Sequence, residues 1–95
     1  MPGKIDGKVV AITEEGNLVT DISADQLAEV PRGDQVLVRC DEHETVGIHP
    51  ADHDEPEFTF LATLGPSGCL ELSIVGESAS SMLGIREGEA VLIKW

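Results

Sequence analysis

Lys8-Val9-Val10-Ala11-Ile12-Thr13-Glu14-Glu15-Gly16-Asn17-Leu18-Val19-Thr20-Asp21-Ile22 decides how this chain folds. Two runs rich in β-branched residues, KVVAIT and LVTDI, flank a polar stretch that ends in Gly16-Asn17. β-Branched side chains suit the pleated surface of a strand. Glycine and asparagine let the backbone reach positive φ in a tight reversal. The stretch therefore predicts an antiparallel hairpin. Outward from it, the same alternation and punctuation recur. Residues 35–40 (QVLVRC) place Val36, Val38 and Cys40 on one face, and residues 43–48 form a weaker strand that returns from them. In EFTFLATL, Phe58, Phe60, Ala62 and Leu64 are expected to alternate inward. After the turn Pro66-Ser67-Gly68, Leu70, Leu72 and Ile74 alternate with Glu71 and Ser73, as in a half-buried strand. Residues 90–95 form the last strand. Two short helices are expected, one over 24–30 capped by Ser23 and stopped at Pro31-Arg32-Gly33-Asp34, the other over 78–83 ending at Gly84. The fold class is all-β: a small seven-stranded barrel with one or two short helices, since closure removes aggregation-prone edges. Its expected core includes Val36, Val38, Phe60, Leu70, Leu72, Ile74 and Val91.

Length and charge bound the function. Ninety-five residues make one domain, and 41% hydrophobic residues are enough for one core. Six Lys and Arg oppose 18 Asp and Glu, a formal net charge of -12, and such a surface repels phosphate backbones and anionic lipid heads. Nucleic-acid and membrane-surface roles are therefore not expected. Cys40 and Cys69 make no disulfide framework and read as small buried hydrophobes. No apolar run follows the N-terminal residues as in a signal peptide, and no stretch is long enough to span a membrane. A cytoplasmic location is expected by elimination.

The catalytic inventory is thin. Tyrosine is absent, and no nucleophile elbow, phosphate-cradling glycine loop or HExxH appears. One cluster suggests chemistry: Cys40 and His43 at C-x2-H spacing, then His49 and His53 four apart. Thiolate and imidazole ligate zinc. Pro50 and the acidic residues around it argue against the helix that would align His49 with His53, so residues 49–57 read as a solvated surface loop. The turns hold a second possibility, because the Asn17 amide and the Ser67 hydroxyl are groups that grip a base edge or an amino-acid head group.

Taken together, these turns resemble a known family. Gly7 to Ile22, with Gly16-Asn17 at its centre, is similar to the G-x-V-x-x-I-D-x-F-G-N-L-x-T-N-I run that opens the C-terminal domain of S-adenosylmethionine hydroxide adenosyltransferases. The family includes the fluorinases and chlorinases. LGPSGCLELSI (64–74) and SASSMLGIREGEAV (78–91) resemble its S-S-G-x-L-E-I-A-V and S-A-A-x-L-L-G-x-x-x-G-D-x-V motifs without gaps. The resemblance spans residues 7–95, with 24–57 poorly matched. It implies a seven-stranded barrel that forms one wall of the ligand pocket, against the catalytic domain of a neighbouring subunit in a trimer. The water-activating residues belong to an N-terminal domain with no counterpart in this sequence. The resemblance assigns Gly16 and Asn17 to the adenosyl ligand, Ser67 to its amino-acid end and Gly76 to the backbone approach to adenine. Thr13 stands for the family's aspartate and Glu15 for its phenylalanine; Asp21 and Val75 replace asparagines, and Pro66 a serine. Losing an aromatic surface and a charged partner implies weaker adenosyl binding.

Three functions follow as expectations. The first is a stand-alone binding or interaction module with a divergent pocket for adenosine or S-adenosylmethionine. The second is a non-catalytic subunit of a split hydrolase-like enzyme, joined to a separately encoded catalytic domain or to further copies of itself. The third is a metal-buffering domain built on the histidine loop.

Overall fold

β1 (Lys4–Ile12) and β2 (Leu18–Ser23) form the hairpin expected around Gly16-Asn17, pairing antiparallel with Ile12 opposite Leu18. The computed structural model describes residues 3–28, 30, 33, 35–49, 54–65 and 68–95. The other strands are β3 (Leu37–Cys40), β4 (His43–Val46), β5 (Ile48–His49), β6 (Phe60–Leu64), β7 (Cys69–Ile74) and β8 (Ala90–Lys94). They lie in the order β4-β3-β8-β1-β2-β7-β6-β5.

The two ends of this order are one piece of chain. β4 and β5 are separated only by Gly47, whose φ of 90° turns the backbone out of one ladder and into the next. β5 then pairs in parallel with β6, Ile48 facing Ala62, and the Thr45 hydroxyl donates to the Phe60 carbonyl at 3.0 Å. The sheet thereby nearly closes into a barrel. Eight strands stand where seven were expected, because Gly47 breaks the single expected strand over 43–48. β1 also serves both halves: Lys4–Lys8 pair with β8, and the ladder shifts register between Val9 and Ala11 as β1 passes to β2.

Inward-facing residues from every side fill the barrel, among them Leu18, Ile22, Val38, Cys40, Leu70, Leu72, Val91 and Ile93, all at most 1% exposed. Thr20 is the polar exception. The β2–β7 ladder is irregular between Val19 and Ser23, and there the Thr20 hydroxyl donates to the Leu70 carbonyl at 2.7 Å and accepts from the Ile22 amide at 3.2 Å. A side chain takes over where strand pairing lapses.

Four expectations need correction. Phe58 does not point inward: it is 63% exposed with φ 68°, because a turn that bonds the Thr59 amide to the Pro56 carbonyl precedes the strand. Phe60 packs against the core but is only partly buried. Glu71, expected outward, is buried, as are Leu61 and Thr63, so β6 and β7 are covered on both faces. Residues 24–28 form successive turns instead of a helix. Ser23 and Gln26 do exchange the reciprocal bonds of a capping box, at 2.9 and 3.3 Å. Leu27 and Val30 are nevertheless anchored in the core, and a segment this short follows its packing over its cap. Among the described residues the one helix is α1 (Ala79–Leu83), which ends at Gly84 as expected and which Ser78 caps instead of opening as its first residue.

Candidate functional site

Thr13 organises the turn that carries the family motif. Its hydroxyl accepts from the Asn17 amide at 3.1 Å, its amide donates to the Asn17 carbonyl at 2.9 Å, and its carbonyl accepts from the Gly16 amide at 2.9 Å. Thr13 thus anchors the turn through its side-chain oxygen. These hydrogen bonds hold Asn17 by its main chain. Gly16, at φ 87°, lies beneath the start of α1, where an added methyl would collide with the Ser78 hydroxyl. Its carbonyl accepts from the Ser80 amide at 2.9 Å, which ties the hairpin tip to α1.

The opposite wall is a second turn. The Glu77 amide donates to the Ile74 carbonyl at 3.0 Å, Gly76 has φ 78°, and Ser78 follows as the cap. Between the two turns runs a cleft of about 440 Å³, lined by Glu15 and Asn17 on one side and residues 73–78 on the other. The volume lies within the range of small-molecule sites. The cleft carries one carboxamide, hydroxyls from Ser73 and Ser78, and carboxylates from Glu15 and Glu77, with no cationic side chain in its lining. Such a surface can hydrogen-bond a neutral or cationic ligand and disfavours an anionic one.

Of the four residues singled out for a ligand, Asn17 and Gly76 line this cleft, and Gly16 lies beside it, covered by Ser78. Ser67 lies outside the described residues. Its neighbour Gly68 lies just before β7 begins, where Cys69 pairs with Ser23, five positions along β2 from Leu18. Sequence reasoning missed Glu77 and Ser78 as cleft residues. In the sequence Ser78 read only as the start of the second expected helix and of the 78–91 motif.

The metal candidates are dispersed. Cys40 and His43 are partners across the β3–β4 hairpin, but Cys40 is buried in the core, while the His43 ring meets Phe60 edge-on at 6.4 Å. Burial, then the charges of Glu89 and Asp41, push the Cys40 thiol up from 9.0 to about 11, which keeps it protonated and a poor ligand at neutral pH. His49 Nδ1 lies 3.6 Å from the Glu55 carboxylate, and His53 falls outside the described residues. Among the described residues, no three His, Cys, Asp or Glu side chains converge to hold a metal ion.

Comparison with known proteins agrees with the barrel and its motifs. The chain is similar to an uncharacterized conserved protein from Thermotoga maritima, at 28% identity and a TM-score of 0.76, over 95% of this chain and 35% of that one. It is also similar to a conserved hypothetical protein from Thermus thermophilus, at 28% identity and a TM-score of 0.73, over 93% of this chain and 34% of that one. The chain thus spans about a third of the length of both solved structures. No curated protein gives a significant match. Residues 7–92 match the sequence profile of the SAM hydroxide adenosyltransferase C-terminal domain, from the glycine that opens the hairpin motif into the last strand. The chain belongs to the SAM hydroxide adenosyltransferase C-terminal domain family.

Proposed function

We propose that this chain is a binding module that supplies one wall of a divergent adenosyl-type pocket and no catalytic groups. The observation that carries this reading is the cleft between the 13–17 and 74–78 turns, where Asn17 and Gly76 meet in one 440 Å³ space. Its lining offers a carboxamide and hydroxyls for a base edge or a ribose, and no histidine, cysteine or arginine to activate water. Glu15 replaces the flat apolar surface on which a base would stack, so affinity is low. A few exposed polar contacts amount to millimolar binding, about 4 kcal/mol.

A split enzyme is the second reading, and the make-up of the cleft favours it. The cleft is bounded by two turns of one barrel, so a second polypeptide would have to supply any facing wall and the chemistry. Titration with adenosine and with S-adenosylmethionine, followed through backbone amides by NMR, tests both readings. Shifts confined to residues 14–18 and 73–78, saturating in the millimolar range, are expected. Shifts elsewhere, or none up to the solubility limit, would sink the pocket. Micromolar saturation would show that Glu15 does not weaken it.

A further inference from the structure

The outward face of β4, β3, β8 and β1 gathers most of the positive charge in this molecule. Direct partners across a ladder point to the same side of a sheet, so the register assigns the face residue by residue. One row crosses the four strands as Val46–Leu37–Lys94–Lys4, and the next as Glu44–Arg39–Leu92–Asp6. Lys8, opposite Ala90, begins a third. The residues between them along the strands, among them Val38, Val91 and Ile93, are buried in the core. Leu37 and Leu92 are half-buried, and the other members of these rows are exposed. Four of the six Lys and Arg thus share one face with two of the 18 Asp and Glu. Asp41 and Glu89 stand at the Arg39 end, so the positive side is the edge formed by Lys94 and Lys4. Beside that edge Val46, Leu37 and Leu92 run diagonally across the sheet, with Val46 52% exposed.

A second exposed apolar side chain has the opposite charge around it. Phe58 is 63% exposed and stands at φ 68°, a conformation that is costly for a bulky residue. Its amide donates to the Val75 carbonyl at 2.9 Å, and the Val75 amide donates to the Thr59 carbonyl at 3.0 Å, which fixes the turn. Asp54 and Glu57, close to it in the chain, are exposed carboxylates. No Lys or Arg occurs between Arg39 and Arg86. An aromatic ring kept in water at a conformational cost marks a contact surface.

We propose that the Phe58 turn of one molecule docks on the β4-β3-β8-β1 face of a second copy. The ring covers Val46, Leu37 and Leu92, while Glu57 and Asp54 meet Lys94 and Lys4. Two different surfaces make the contact, so the association is head-to-tail. Charges further apart than about 8 Å are screened at physiological ionic strength, so the charges inside the contact outweigh the net charge of -12 on both copies. The inference does not depend on the adenosyl-type cleft.

Sedimentation equilibrium of the whole chain at physiological ionic strength tests it. The expected result is an average mass that rises reversibly with protein concentration. Phe58→Gly should weaken the association about tenfold or more, as the loss of an aromatic anchor does. Glycine accepts the positive φ without strain, so this variant should unfold at a urea concentration no lower than the parent, which separates lost docking from lost folding. Lys94→Glu should weaken the association in the same way, and Lys94→Gln less. Each of the two variants keeps one intact half of the contact. An equimolar mixture of Phe58→Gly and Lys94→Glu should therefore recover a dimer that neither forms alone. A parent chain that stays monomeric up to about 1 mM would overturn the proposal, leaving the face to another protein or to solvent. Association that either variant leaves unchanged, or a mixture that stays monomeric, would overturn it as well.

Discussion

Cys40 shows how position fixes the chemistry of a single residue. It is fully buried in the barrel with Val91 opposite it on β8, and it lies near the carboxylates of Glu89 and Asp41. Burial and those two charges disfavour the thiolate and hold the thiol pKa at about 11. Cys69, by contrast, is half-buried at the start of β7. In the native protein an alkylating reagent at neutral pH should label Cys69 and leave Cys40 untouched; equal labelling of both by mass spectrometry would show that the barrel opens. The linkage has a definite sign. Because the folded thiol keeps its proton at pH values where the unfolded thiol has lost it, Cys40 favours the folded state fully below the unfolded value of 9.0. This contribution is lost as pH rises through about 11. Urea unfolding of the parent and of Cys40→Ala across that window should show the parent losing stability more steeply.

At the scale of elements, Gly47 and the β2–β7 ladder decide whether the barrel closes. Gly47 turns one strand into two ladder partners, one at each end of the sheet, and its positive φ is disfavoured for residues with a Cβ. β7 supplies the middle of the core through Leu70, Leu72 and Ile74. Leu72 faces both Leu18 on β2 and Ala62 on β6, so its side chain fills the space where three strands meet. Leu72→Ala should cost roughly 2–5 kcal/mol, the range for a buried leucine whose neighbours cannot collapse into the hole. A loss below about half a kcal/mol in urea unfolding would mean that the register of this strand is wrong. Thr20 marks the irregularity in the same ladder. A hydroxyl there keeps the Leu70 carbonyl and the Ile22 amide satisfied where regular pairing lapses.

For the whole molecule, charge is divided between the two ends of β1. The hairpin end presents Glu15 and Glu77, and the opposite end of β1 presents Lys4 and Lys94. Under the proposed function, this 95-residue chain alone leaves S-adenosylmethionine intact; adenosine that accumulates in proportion to protein and survives repurification would overturn that. Much of this molecule was legible in its sequence. The Gly16-Asn17 hairpin, the short helix stopped at Gly84, the inward alternation of β3 and β7 and the family motifs all rest on neighbours within a few positions, where backbone sterics and side-chain period act directly. The polar, cation-poor character of the hairpin tip was legible too, since Glu15 and Asn17 stand in the motif itself. Tertiary structure alone decided the rest. Whether 43–48 is one strand or two depends on which ladders lie on either side of it. Phe58 is exposed because a turn cuts its strand short, and the segment from 24 to 28 stays in turns because Leu27 is held by the core. Glu77 and Ser78 join Asn17 in one cleft only because the Gly16 carbonyl bonds to the Ser80 amide, sixty-four residues along the chain. A local sequence pattern specifies which face of a strand is apolar, but not which distant segment will cover it, because the free energy of that contact is shared with a partner the pattern does not contain.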